Sequence, residues 1–322
     1  MHSLSALNTL YNEKFSVDNF HQNPTGLYKP VNHIMNIPGK RIRPLLLLMS
    51  SDMFGGDAKQ ALNPAFAVEV FHNFTLVHDD IMDNADIRRG VPTVHKLYGT
   101  NAGILAGDVM LAYAYRYLTD VSPQYVASLI SVFNKTAIEI FEGQQMDMDF
   151  EKRTDVTEVE YLKMIEFKTS VLLGCCLQLG AVMGNASAAD QQLVYEFGLK
   201  LGLSFQIKDD YLDTYGEAEK VGKRIGGDIL QNKKTYLYVS AWNSADVAQK
   251  AQLTTLLTEH DEEKKIREVK QVFEATGARQ KALDKSDELY NVALQSLQKI
   301  SLPDDAKKPL AEMAQRINNR EF

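Results

Sequence analysis

"AADQQLVYEFGLKLGLSFQIKDDYLD", residues 188–213, decides the fold class. Its apolar residues Val194, Phe197, Leu201 and Phe205 return every three or four positions, the period of one helical face, whereas a half-buried strand would alternate at every second residue. The same period runs through 104–118, 124–141 and 158–173, and alternating β-branched runs between tight turns are scarce. Breaks fall at "NIPGK" (36–40), "FGGD" (54–57), "RRGVPT" (88–93), "GNAS" (184–187) and "RIGGD" (224–228), with no low-complexity linker among them. The expectation is an all-α protein in which residues 1–322 form one continuous helical domain.

Bulk properties narrow the partners. A hydrophobic content of 45% over 322 residues is enough for a sizeable core. The net charge of −7 argues against a nucleic-acid partner, whose phosphates demand a surplus of Lys and Arg. The adjacent Cys175 and Cys176 sit in an apolar run and fit neither a disulfide framework nor a zinc spacing, so they are read as reduced packing residues. The N-terminal "MHSLSALNTLYNEKF" meets Glu13 before any long apolar core and does not fit a secretory signal. "PLLLLM" (44–49) is far short of the roughly 20 apolar residues that span a bilayer. A soluble, cytoplasmic protein without a membrane span is expected, and the charge-rich "EHDEEKKIREVK" (259–270) reads as a solvated helical surface.

The quoted stretch ends in "DDYLD" (209–213), and the same pattern occurs 130 residues earlier as "DDIMD" (79–83). In a helix, i and i+4 share a face, so Asp79 stacks on Asp83 and Asp209 on Asp213, an arrangement of like charges that is destabilising. A solvated acidic face is the simplest explanation of one copy. Two copies, each closing an apolar run, point instead to half-buried carboxylates held by cations, and repeated hard oxygen ligands suit Mg²⁺. Mg²⁺ typically takes one or two carboxylates and completes its shell with water and phosphate oxygens. Basic residues mostly flank the breaks, in "GKRIRP" (39–44), "RRG" (88–90), "FKTS" (167–170), "VGKR" (221–224) and "QNKKT" (231–235). Arg88 follows Asp83 by five residues, close enough for one anionic group to meet both metal and guanidinium.

"GKRIRP", "DDIMD" with "RRG", "EGQQMD" (142–147), "KTS" (168–170), "FQIKDDYLD" (205–213), "GKR" (222–224) and "NKKT" (232–235) occur in the order found in the trans-isoprenyl diphosphate synthases, and the chain resembles that polyprenyl synthetase family over residues 36–236. The resemblance implies the isoprenoid synthase fold, a helical bundle around a deep cavity with the two DDxxD motifs facing each other across its mouth. It implies a prenyltransferase that joins isopentenyl diphosphate to an allylic diphosphate (dimethylallyl, geranyl or farnesyl), and a homodimer. Carried over to this sequence, Asp79, Asp83 and Asp209, supported by Asp80 and Asp213, would hold three Mg²⁺ ions. Arg88, Lys168, Lys223 and Lys233 would bind the allylic diphosphate. Lys40, Arg43, His72 and Arg89 would bind isopentenyl diphosphate. Thr169, by carbonyl or hydroxyl, and the side-chain oxygen of Gln206 would face the cation, with Gln144 and Asp147 in support. "NKKT" stands where the family has "GKxT", which leaves Lys234 as a rival to Lys233. His72 also admits a purely structural place in the core, and His78 and His95 are read as structural.

Chain length is implied in the same way. Phe74, the fifth residue before Asp79, and Thr75, the fourth, would bound the apolar tunnel in which the product grows. An aromatic residue at the fifth position, with no two-residue expansion of the motif, implies geranylgeranyl diphosphate (C20), and farnesyl diphosphate (C15) is the alternative. A class I terpene cyclase would not need the second basic cluster, and a noncatalytic synthase subunit would not need two intact aspartate motifs. A calcium-binding helical protein would need a 12-residue loop with its glycine and terminal Glu, and none is evident.

Overall fold

The protein is described by a computed structural model that covers residues 2–15, 20, 23–216 and 225–319. The first helices are α1 (Leu4–Phe15), α2 (Thr25–Asn36), α3 (Ile42–Met53), α4 (Leu62–Met82), α5 (Val94–Tyr98), α6 (Thr100–Thr119), α7 (Pro123–Glu151) and α8 (Glu158–Ile165). A single π-helical turn, Glu166–Ser170, joins α8 to α9 (Val171–Met183). Then follow α10 (Ala188–Tyr215), α11 (Gly227–Leu230), α12 (Tyr236–Ser244), α13 (Val247–Leu256), α14 (Glu262–Ala275), α15 (Ala278–Gln298) and α16 (Asp304–Asn319).

The stretch quoted above is α10. Ser187 starts it by accepting, through Oγ, a hydrogen bond from the Asp190 backbone N–H at 3.1 Å. Its apolar residues are buried by α9 on one side and α15 on the other. Gly198 in this helix is explained by close approach: a Cβ there would lie 2.8 Å from the Cα of Gly174 in α9, so the helices touch through backbone. α10 also joins two hydrophobic clusters. Phe197 and Leu201 belong to the larger one under α3, α4, α6, α7 and α9, while Leu203 and Ile207 belong to a second under α8, α12, α14 and α15. The two clusters are therefore parts of one all-α unit.

The continuous run Glu158–Met183 is long and apolar enough to cross a bilayer by length and composition, yet 72% of its most apolar window is buried inside the protein. It packs against α3, α7 and α10 as a core helix, with Cys175 and Cys176 fully enclosed. One element departs from the all-helical reading. "RRGVPT", expected as a break, contributes to a two-stranded hairpin, Ile87–Arg88 against Val91–Pro92. Arg89 (φ 52°) and Gly90 (φ 78°) supply the two positive angles of a type I′ turn.

Candidate active site

Both acidic clusters lie at helix C-termini. Asp79 to Asp83 close α4, where the Asp83 N–H donates to the Asp79 carbonyl at 2.8 Å, and Asp209 to Asp213 occupy the last turns of α10. The C-terminal end of a helix carries partial negative charge, so carboxylates stacked there repel one another and the helix alike. Asp83, Asp209 and Asp213 line one cavity of about 270 Å³, which Asp147, Lys168 and Lys233 also line. Burial, opposed by Lys168 and reinforced by Asp83, pushes the Asp79 carboxyl up to about 6. Burial by itself would lower the Lys168 ammonium, but its pairing with Asp147 outweighs this and leaves its pKa raised.

The middle aspartates behave differently from their neighbours. Asp80, 1% exposed, is gripped by Arg88: Nε donates to Oδ1 and Oδ2 at 3.0 and 2.9 Å, and Nη2 to Oδ1 at 2.8 Å. The physical reason is helical geometry. A residue next to Asp79 is turned by about 100°, so Asp80 faces the protein, whereas Asp83, one turn after Asp79, lines the cavity. Asp80, expected to support the metal ions, and Arg88, expected on the allylic diphosphate, are thus paired with each other in this structure. Asp210, its counterpart in α10, accepts hydrogen bonds from Tyr161 Oη, the Tyr236 N–H at 2.8 Å and Gln206 Nε2 at 3.1 Å. Burial pushes the Asp210 carboxyl up to about 7 against those hydrogen bonds. Because Asp210 takes the amide nitrogen of Gln206, the Gln206 oxygen is left for the cavity that this residue lines.

A basic cluster gathers at the opposite kind of helix end. Lys40, Arg41 and Arg43 surround the N-terminus of α3, whose partial positive charge suits an anion. With His72 and Arg89 they line a second cavity of about 680 Å³ that Leu173 and Phe205 make partly apolar. Arg43 Nη1 donates to His72 Nε2 at 3.1 Å. Burial, then Arg43 and Arg89, hold the His72 imidazole well below its usual pKa, so the ring is neutral and its proton sits on Nδ1. Arg89 Nη1 reaches the Pro38 carbonyl at 3.0 Å, so the I′ turn sends Arg88 to Asp80 and Arg89 to this cavity.

Sequence reasoning missed Arg41, Glu69, Asp210 and Tyr161. Arg41 pairs with the buried Glu69 and donates to the carbonyls of Met35 at 2.7 Å and Ile37 at 3.2 Å, shaping the basic loop from within. Its place between Lys40 and Arg43 in "GKRIRP" was the available signal, and the doubled aspartate was the signal for Asp210. Tyr161 had none. Lys223 lies outside the described residues. Lys233 Nζ sits 3.4 Å from Asp228 Oδ1, while the Lys234 ammonium lies over the Tyr238 ring at 4.2 Å; both line the acidic cavity. Thr169, carried by the π turn, lines both cavities. Beneath the first motif Phe74, 5% exposed, packs on Phe71, His78 and Phe141 with centroid distances of 5.5, 4.9 and 5.9 Å. Thr75 Oγ1 donates to the His72 carbonyl at 2.8 Å.

The donor set fits Mg²⁺. Carboxylates are concentrated where two helix ends already carry negative charge, and burial raises the Asp79 carboxyl. Among the described residues no group of three or more such side chains is arranged to hold a metal unaided.

Comparisons with known proteins agree with this geometry. The sequence profile of the polyprenyl synthetase family matches residues 24–276. A geranylgeranyl pyrophosphate synthase of Geoglobus acetivorans is 37% identical over 315 residues, covering 97% of this chain and 96% of that protein. A geranylgeranyl diphosphate synthase of Saccharolobus solfataricus is 40% identical over 313 residues, covering 94% and 93%. A crystal structure of a geranylgeranyl pyrophosphate synthase superposes with a TM-score of 0.94 at 45% identity, covering 99% of both chains. Acidic helix ends, a basic helix start and these likenesses agree: the chain belongs to the polyprenyl synthetase family of prenyl-transferring enzymes.

Proposed function

We propose that this chain condenses isopentenyl diphosphate with an allylic diphosphate to give a short-chain all-trans prenyl diphosphate, with geranylgeranyl diphosphate as main product. The observation that carries the reading is Thr169. It lines both an acidic cavity at two helix C-termini and a basic cavity at a helix N-terminus, which supports a reading in which two diphosphates held by different chemistry would bring their hydrocarbon parts together there. Asp79, Asp83, Asp209 and Asp213 would hold Mg²⁺, three ions by the resemblance, which when bound neutralises the diphosphate of the allylic substrate. Lys168 and Lys233 add positive charge to the same group. Lys40, Arg43, Arg89 and neutral His72 bind the second diphosphate at the start of α3.

The allylic C–O bond breaks with its electron pair leaving on the diphosphate. The isopentenyl double bond supplies the pair for the new C–C bond, and the proton then lost goes to the released diphosphate. Gln206 Oε1 and Thr169 face the positive carbon with partial negative charge. Phe74, walled by Phe71 and Phe141, is the floor on which chain growth stops. The exposed Ile104 and Leu105 of α6 and Ile138 and Phe141 of α7 support a homodimer through that face, and a cytoplasmic location belongs to the same reading.

Product analysis by chromatography tests it. With Mg²⁺, isopentenyl diphosphate and dimethylallyl, geranyl or farnesyl diphosphate, C20 is the expected end product, and accumulation of C15 would replace that assignment with the farnesyl one. Phe74→Ala is expected to lengthen the distribution. An unchanged one removes Phe74 as the floor.

A further inference from the structure

We infer that Gly143 and Asp147, one turn apart on α7, are positioning residues that set Lys168 in the diphosphate cavity; this rests on the function proposed above. Lys168 and Thr169 sit in the π turn Glu166–Ser170, whose extra residue takes them out of the register of α8 and α9. Such single turns inside α-helices are frequent at functional sites. Here the turn is seated from α7. A Cβ on Gly143 would lie 2.7 Å from the carbonyl carbon of Phe167 and 2.8 Å from the Cα of Lys168, and closer still to the Lys168 nitrogen. Those are backbone atoms, which cannot swing aside as the tip of a side chain does. On the α10 side, a Cβ on Gly202 would lie 2.8 Å from the Cα of Ser170, so the turn is closed in from both helices.

Four residues after Gly143 the same face of α7 presents Asp147, whose Oδ2 accepts a hydrogen bond from Lys168 Nζ. Lys168 is thereby fixed at both ends, its backbone resting on a glycine and its ammonium held by a carboxylate. Both side chains line the acidic cavity, where they remain 27% and 37% exposed and open to an incoming diphosphate. Asp147 acts through Lys168 and not on the reacting atoms.

The experiment is a double-mutant cycle on the full chain, with steady-state kinetics in both substrates and in Mg²⁺. Asp147→Asn is expected to lower kcat/KM for the allylic diphosphate by about tenfold, the size of a coupled pair, and to change it less than about twofold in a Lys168→Ala background. Its half-saturating Mg²⁺ concentration should stay at the wild-type value. Equal losses in both backgrounds, no loss in either, or a raised Mg²⁺ requirement overturn the proposal, the last by making Asp147 a metal ligand. Gly143→Ala should show the same dependence on Lys168; if it fails to fold, the Asp147→Asn cycle decides alone. A wild-type chain that elongates nothing defeats the proposed function instead, which separates the two failures.

Discussion

Asp79-Asp80-Asp83 and Asp209-Asp210-Asp213 have the same spacing and the same place at a helix C-terminus, but their middle carboxylates are held by different chemistry. Asp80 is neutralised by a guanidinium fork from a hairpin that follows α4 directly. Asp210 has neutral donors only among its hydrogen-bond partners above, from Tyr161, the Tyr236 backbone and Gln206, and its carboxyl is pushed up to about 7. A motif written twice in the same letters is thus a charge-paired anchor in one copy and a hydrogen-bonded one in the other. The outer carboxylates, the pairs that share a face, are the common part.

Four perturbations separate the copies. The largest effect is expected where they are equivalent: Asp79→Ala and Asp209→Ala should each lower kcat by about 10²–10³ or more, the scale of losing transition-state electrostatics, with unchanged helical circular dichroism. Near-normal turnover in either variant breaks the equivalence. Next, Arg88→Ala strands a buried carboxylate and should destabilise the fold by about 3 kcal/mol in urea unfolding. Tyr161→Phe removes one hydrogen bond from Asp210 and should cost about 1–2 kcal/mol, so a loss as large as that of Arg88→Ala would erase the contrast.

The smallest effect is a pH slope. The folded-state values of about 6 for Asp79 and about 7 for Asp210 lie above the unfolded value near 4. Their stabilising contribution in the metal-free protein is therefore complete below pH about 4 and is lost as pH rises through about 6 and about 7. Changing both to Asn should flatten the part of the Tm profile between pH about 4 and about 7 that these groups cause. An unaltered slope there counts against the assignment.

The features visible in the sequence were those governed by local periodicity. The helical repeat of 188–213, the stacking of Asp79 on Asp83 and of Asp209 on Asp213, and the glycine-marked breaks depend on neighbours three or four residues away. Arg88 shows where this stops. Its partner is decided by an I′ turn that sends adjacent arginines to different carboxylate and carbonyl groups, and nothing in "RRG" alone says which goes where. Likewise "EFKTS" carries no mark of a π turn, and the glycines of α7 and α10 that lie against that turn are distant in sequence. Tyr161 reaches Asp210 across 49 residues, a contact that only tertiary packing creates.

The central claim is that two acidic helix ends and one basic helix start form a single condensation site for two diphosphates. Purified chain supplied with isopentenyl diphosphate and an allylic diphosphate tests it most directly, with Mg²⁺ present or removed by EDTA. An elongated all-trans prenyl diphosphate with Mg²⁺ and none with EDTA is the predicted result; a cyclised hydrocarbon, or no product from either mixture, would contradict it.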